Sequence, residues 1–418
     1  MSRRKKNRKS RKSNADKGSR MRSPIANIKV VGIGGGGGNA VSRMSRNFIK
    51  GIEFIAINTD HQDLDQCRVQ RRIYIGKNLT KGLGTGMNPD LGRQAAEENR
   101  SEIAESLSGA DLIFVAAGMG GGTGSGGAPV VAEVAKQSGA LTIAVVTKPF
   151  SFEGAQRENI AREGLAKLKD KVDAIIAIPN DRIFTVISKD TSVSKAFEAI
   201  DDVLKSALLG IVELIASPGL INLDFADVKS IIGDAGPAII GIGIASGADR
   251  AVSAVKTALN SPLLDVSAEG AKAILLGVSG GRDLKMNEIN EAAKIVAQSA
   301  DPAARIIFGA YHNRGLRPNQ IKITLIATGF DSGRSGSLFG SYLGDKRKGV
   351  FSGGELALLS RPVGTASSEE MAPAKNIGFE DNPKSNHPER AGTKKAETKD
   401  EDESVWDTPT FLRKGRKK

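Results

Sequence analysis

Residues 111–127 read DLIFVAAGMGGGTGSGG. The leading apolar run is what a strand buried on both faces should look like, and it passes directly into glycine. Glycines at a strand end accept positive φ and let an anion approach the bare backbone, where N–H groups and the dipole of a following helix favour negative charge. Residues 118–127 therefore read as a phosphate-binding loop, in which Gly118, Gly121, Gly122 and Gly124 expose backbone donors beside the hydroxyls of Thr123 and Ser125. Each glycine costs roughly 0.5–1 kcal/mol in chain entropy, so a tight turn alone is a poor reason for so many.

A second loop of the same kind lies upstream. IKVVGI at Ile28–Ile33 is another buried strand, and it stops at five consecutive glycines, residues 34–38. Asn39, Ala40, Val41, Met44 and Phe48 then follow with helical spacing, which predicts a strand-to-helix turn made of glycine. No GxxxxGK[ST] sequence exists, so a lysine-based phosphate loop is excluded. Phosphate charge falls instead to backbone donors, Mg²⁺ and Arg157. A dinucleotide site stays open on these residues, because Asp60 follows the second strand, FIAI at residues 54–57, where a ribose-reading carboxylate would stand.

Further strands are expected at residues 73–75, 141–147 and 174–178, with helices after each glycine loop and across residues 158–168. Strand, loop and helix repeating with continuous apolar strands is the pattern of a parallel sheet covered on both faces, whose ligands lie beyond the strands' carboxyl ends. Residues 194–216 form a long apolar-rich helical stretch, expected to be a central spine joining two lobes. A smaller α/β unit follows, with strands at residues 271–278, 305–311 and 321–328 and a helix at 286–298. The expected order is a disordered basic extension (1–24), a nucleotide-binding domain (25–193), the central helix (194–216), a C-terminal α/β domain (217–361), a disordered linker (362–405) and a tail peptide (406–418).

The 418 residues carry a formal net charge of +13, but it is unevenly placed. Residues 1–24 hold eleven Lys or Arg against one Asp, and residues 413–418 hold five more, leaving a body near −2. Basic ends suit nucleic acid, an anionic membrane or an acidic partner equally well. One cysteine, Cys67, excludes an intrachain disulfide, and three isolated histidines give no metal motif. With no eighteen-residue apolar run, the chain reads as cytoplasmic, neither secreted nor spanning. Trp406, Phe411 and Leu412 next to a basic end resemble a docking peptide on a tether. Among carboxylates, Asp224 and Asp227 in NLDFAD fit two roles: orienting water or a cation from one side of a helical turn, or capping and solvating a helix start.

At GGGTGSG preceded by AAGM the sequence resembles the tubulin/FtsZ superfamily, and within it the FtsZ family of prokaryotic cell-division GTPases. GGGGGNAV (34–41), NTD (58–60), GLGTGMNP (82–89), TKPFSFEG (147–154), PND (179–181), SKAFEAIDDVL (194–204) and NLDFADV (222–228) carry the same resemblance. It implies a Rossmann-like GTPase domain joined by a long central helix to a smaller α/β domain, and a GTP-dependent polymer that forms the division ring. It further implies GTP/GDP and Mg²⁺ as ligands, with Gly35, Gly36, Gly37, Gly38, Asn39, Gly122, Thr123 and Gly124 on the phosphates. Glu153 and Arg157 would lie by the ribose and phosphates, and Asn180 and Asp201 by the guanine. Asn222, Asp224 and Asp227, in an activating loop at 220–228, would complete the site of the next subunit. The implied partners are further copies of the chain in head-to-tail filaments, and membrane tethers or regulators that take the tail peptide. The basic ends add an anionic membrane surface as a possible partner, with nucleic acid a weaker alternative.

Overall fold

The computed structural model describes residues 26–45, 51–188, 190–216, 219–261, 268–313 and 315–330. The expected basic extension, linker and tail peptide, with Trp406, Phe411 and Leu412, lie outside them.

The first half alternates strand and helix: β1 (Ile28–Ile33), α1 (Gly34–Met44), β2 (Ile52–Asn58), α2 (His61–Gln66), β3 (Arg71–Tyr74), α3 (Lys77–Thr80), α4 (Pro89–Glu98), α5 (Arg100–Leu107), β4 (Leu112–Gly118), α6 (Gly122–Gln137), β5 (Leu141–Lys148), α7 (Ala155–Lys169) and β6 (Ala174–Pro179). These strands pair in parallel in the order β3-β2-β1-β4-β5-β6. Period-two alternation explains the layering. In β4, Leu112, Phe114 and Ala116 face one core with α1, while Ile113, Val115 and Ala117 face another with α5, α6 and α7.

A single 24-residue helix then leads into the second half. The helix α8 (Val193–Ala216) is followed by β7 (Gly219–Ile221), α9 (Phe225–Ile232), β8 (Gly236–Ser246), α10 (Arg250–Leu259), β9 (Ala273–Gly280), α11 (Met286–Ser299), β10 (Arg305–His312) and β11 (Gln320–Thr328). The second sheet is mixed: β11 runs antiparallel to β8 and β9, β9 and β10 are parallel, and β7 caps the edge. It meets the first sheet through a short parallel pairing of Ala174 with Gly236 and Ile175 with Pro237. One face of α8 serves both halves, since Leu204, Leu208 and Ile211 share a core with Ile143 and Ile176 of the first sheet and Ile240 and Ile326 of the second.

Both glycine runs differ from their expected form. α1 begins at Gly34 and α6 at Gly122, so residues 34–38 and the glycines from 122 onward are first helical turns, while Gly118 ends β4 and Gly120 and Gly121 form the expected turn ahead of α6. The reason is close approach. A Cβ on Gly37 would stand 2.3 Å from the Ala116 carbonyl oxygen, and one on Gly126 would stand 1.9 Å from the Pro89 carbonyl oxygen. Only glycine lets these helices settle there, which overrides its poor helix propensity of about 1 kcal/mol per residue. Pro129, expected at the helix start, sits in the interior of α6 for the same reason, because the helix starts early.

Gly126→Ala is therefore expected to destabilise by about 3 kcal/mol, an overpacking cost. An unchanged urea midpoint for that variant would contradict the packing described for α4 and α6.

Candidate nucleotide-binding site

The strand order reverses direction between β1 and β4, and in open α/β sheets the crevice beyond the carboxyl ends of such a pair is where ligands bind. Both glycine runs stand at that crevice. They touch: a Cβ on Gly34 would lie 3.0 Å from the Gly124 nitrogen, and one on Gly36 would lie 3.4 Å from the Gly118 Cα. Gly34 needs its φ of +69° and Gly120 its φ of +98°.

Like α3, α5, α7 and α10, these two helix starts lack a side-chain cap, and what sets them apart is that both open onto the same crevice. Neither α1 nor α6 has a side-chain hydrogen bond at its N-cap or an acidic residue in its first turn. By contrast Asp60 caps α2, Asn88 caps α4 and Asp224 caps α9. The first N–H groups of α1 and α6 thus converge uncapped on one crevice, with the Asp63 carboxylate bordering it 3.0 Å from a Cβ position on Gly35, and uncapped helix starts of this kind suit an anion. Gly121, at φ −91° and ψ 171°, has no atom within 4 Å of where a Cβ would stand. Neither backbone angle nor protein packing demands glycine there, so the space is left for something else.

The hydroxyls behave differently from the sequence expectation. Ser125 Oγ accepts from the Gly120 N–H at 2.9 Å, and Thr123 Oγ1 lies 2.7 Å from Thr59 Oγ1 and 3.3 Å from Thr85 Oγ1. They hold the loop in shape rather than project into the crevice, and Thr123 would meet a ligand through its backbone. Asp60 likewise is committed, since its Oδ1 accepts from Gln62 N at 2.9 Å and Asp63 N at 3.1 Å.

Glu153 and Arg157 lie one turn apart at the start of α7 and pair at 2.5 Å, with Glu153 Oε1 also accepting from Phe150 N at 2.9 Å. The Arg157 carbonyl is 3.0 Å from a Cβ position on Gly120, so this pair borders the second glycine run. Asn180 follows β6 directly, and its Oδ1 is buried with no hydrogen-bond partner among the described residues. A buried amide oxygen without a donor costs on the order of 1–3 kcal/mol, which a ligand N–H would remove. Asp201, in the first half of α8, is paired with Arg43 of α1 at 2.6 Å. Burial, with Asp202 and Glu198 nearby, pushes its carboxyl up to about 6 despite Arg43.

Asn222, Asp224 and Asp227 are not brought to this crevice. Lys136, near the end of α6, pairs with Asp173 just before β6 at 3.3 Å and with Asp234 just after α9 at 2.7 Å. The α9 to β8 junction thus lies at the amino end of the parallel strands, a helix length of ~20 Å from Gly122. Asn222, whose Oδ1 accepts from Gly219 N at 2.6 Å, adjoins β7 at the far edge of the strand order. Both readings of the two aspartates find some footing: Asp224 caps α9 through a 3.4 Å contact to Ala226 N, and Asp227 is exposed with no side-chain bond among the described residues.

Residues 27–188 match the Tubulin/FtsZ family GTPase domain, and residues 236–331 match the FtsZ family C-terminal domain. An empty FtsZ dimer from M. jannaschii is 46% identical, with 73% of this chain and 88% of that chain covered at a TM-score of 0.69. The chain belongs to the FtsZ family. CetZ2 from Haloferax volcanii, solved as a GTPγS-bound protofilament, shares the fold at 22% identity and a TM-score of 0.66, covering 76% of this chain and 97% of that one. The first half is thus a tubulin/FtsZ GTPase domain and the second the smaller FtsZ C-terminal domain.

Two features of this FtsZ-family site escaped the sequence reading. Phe150 gathers Phe152, Phe184 and Phe197 at ring distances of 4.8, 5.5 and 5.8 Å, and the outer three are exposed. Phe197 lies one turn before Asp201, a spacing that could have flagged a shared face. Arg43 carried no signal, because its partner is more than a hundred residues away.

Gly121→Ala is expected to leave thermal stability within a degree or two while weakening nucleotide binding about tenfold or more. Unaltered affinity in equilibrium dialysis would mean that the open space beside Gly121 is not part of the site.

Proposed function

We propose that the chain is a GTP-dependent polymerising protein that builds the cell-division ring, hydrolysing GTP to GDP and phosphate at a site completed between adjacent subunits. The observation that carries this reading is the pair of uncapped glycine helix starts meeting at the β1/β4 switch point. Gly35, Gly36, Gly37, Gly38 and Asn39 on one side and Gly118, Gly121, Gly122, Thr123 and Gly124 on the other take the phosphates through backbone N–H groups. Glu153 and Arg157 flank the ribose and phosphates. The unpartnered Asn180 oxygen and the Asp201 carboxylate receive guanine donors, and the exposed Phe197 ring offers a stacking face.

Among the described residues no group of three or more His, Cys, Asp or Glu is placed to hold a metal ion. Mg²⁺ therefore belongs with the nucleotide, bound mainly through phosphate oxygens and water, and supplies charge neutralisation there. Phosphoryl transfer needs an in-line water and neutralised charge more than covalent help from protein. Asn222, Asp224 and Asp227 lie away from their own crevice, so they orient water in the site of a neighbouring copy, and turnover depends on assembly.

No helix among the described residues is long and apolar enough to cross a membrane. Attachment of a cytoplasmic filament to the division site is assigned to the tail peptide with Trp406, Phe411 and Leu412, through a membrane tether or regulator, aided by the basic ends on anionic lipid.

Asp227→Ala is expected to keep GTP affinity but lower assembled turnover by about 10² or more. GTP hydrolysis followed against protein concentration, with light scattering, should show a threshold below which specific activity falls. Flat specific activity, or full turnover in Asp227→Ala, would reject the shared site.

A further inference from the structure

We propose that Arg43 is a positioning residue for base recognition: its guanidinium holds one oxygen of the Asp201 carboxylate, keeping the carboxylate charged and its other oxygen turned to guanine. This rests on the reading of Asp201 as a guanine-recognising group. The contact is Arg43 Nη1 to Asp201 Oδ2 at 2.6 Å, with the Asp201 side chain 16% exposed and that of Arg43 45% exposed. Arg43 stands in the last turn of α1, the helix that opens with the first glycine run, and Asp201 stands on α8 packed beside it. The pair therefore joins the phosphate end of the site to its base end.

Guanine presents N1–H and the 2-amino group side by side, and the free oxygen of an ionised carboxylate accepts from such donors, whereas protonation would turn one carboxyl oxygen into a donor. The surroundings of Asp201 oppose that state. Burial is the largest cause, and Asp202 and Glu198 on its own helix add to it, while Arg43 is the cation acting against them. The other elements packed on this stretch of α8 are β5, which ends at Lys148, and the segment Asn180–Thr185, which carries Asp181 and Arg182. Asp181 is taken up by Ser151. The sign follows directly. Falling pH protonates Asp201 near 6 and removes an acceptor, so guanine affinity drops on the acid side. Loss of the Arg43 charge moves that drop to higher pH.

Binding of GTP, ITP and XTP to the full chain, measured from pH 5.5 to 8.5, separates the possibilities. Arg43→Gln is expected to weaken GTP about threefold at pH 6.5 and close to tenfold at pH 5.5, the effect of a one-unit rise from about 6, and hardly at all at pH 8.5. Arg43→Lys, which keeps the charge, should follow the native profile. A pH profile of Arg43→Gln that superimposes on native, or a loss equal at every pH, overturns the role given to Arg43. Asp201→Asn tests the underlying reading separately: it should exchange GTP preference for XTP, whose 2-carbonyl accepts from an amide. If Asp201→Asn still prefers GTP, the base assignment is what fails.

Discussion

The structure depends on backbone meeting backbone at the switch point of a parallel sheet. At Gly37 the carbonyl of Ala116, and at Gly124 the carbonyl of Gly118, occupy space that any side chain would need. Removing the Cβ atoms lets α1 and α6 come down onto the ends of β1 and β4 with their first turns in contact. Neither helix start carries a capping side chain. The donors left over are a cost in an empty protein and an asset once an anion arrives. Packing and binding thus draw on one compositional choice, which is why the same residues look wasteful for either purpose alone.

The charge balance of the site follows from that choice. Without a phosphate-loop lysine, positive potential comes from partial charges at two helix ends and from Arg157. Arg157 is paired with Glu153 and Arg43 with Asp201, so both arginines near the crevice already have carboxylate partners. The protein body consequently stays near neutral, and the crevice is polarised by geometry rather than by net charge. A site of this kind is sensitive to alignment, since helix-end fields fall off within about a turn.

The central strands of the first sheet were readable because β1, β4 and β5 are short runs buried on both faces, so Ile28–Ile33 could be bounded to the residue. The long α8 was readable because nothing interrupts its apolar period. Helix starts were not, because glycine normally signals a loop, and only the Ala116 and Pro89 carbonyls above Gly37 and Gly126 reveal why it is helical here. The parallel sheet was legible from strand composition, whereas the antiparallel pairing of β11 with β8 and β9 was not, as apolar strands carry no mark of direction. In the site, the glycines announced themselves chemically. Asn180 and Asp201 had no local signature and came only through resemblance; their unpaired oxygen and raised carboxyl are tertiary properties.

The central helix ties these levels together. Its 24 residues span ~36 Å, from the base end of the crevice to the turn before Asn222. Its first half is held to α1 by Arg43 and Asp201. Its second half is held to the C-terminal sheet by Lys322 and Glu213, a largely buried pair at 2.7 Å, and by Leu214 seated over Gly277, where a Cβ would stand 2.1 Å from it. A rod fixed at both ends keeps Asn222, Asp224 and Asp227 at a constant remove from the glycine crevice of their own molecule. Bending it to bring them together would require breaking a buried ion pair and vacating a packed core. The shared site proposed above would need no such deformation, since a head-to-tail neighbour would supply these residues, and a heterologous contact of that kind propagates into an open filament rather than closing into a dimer.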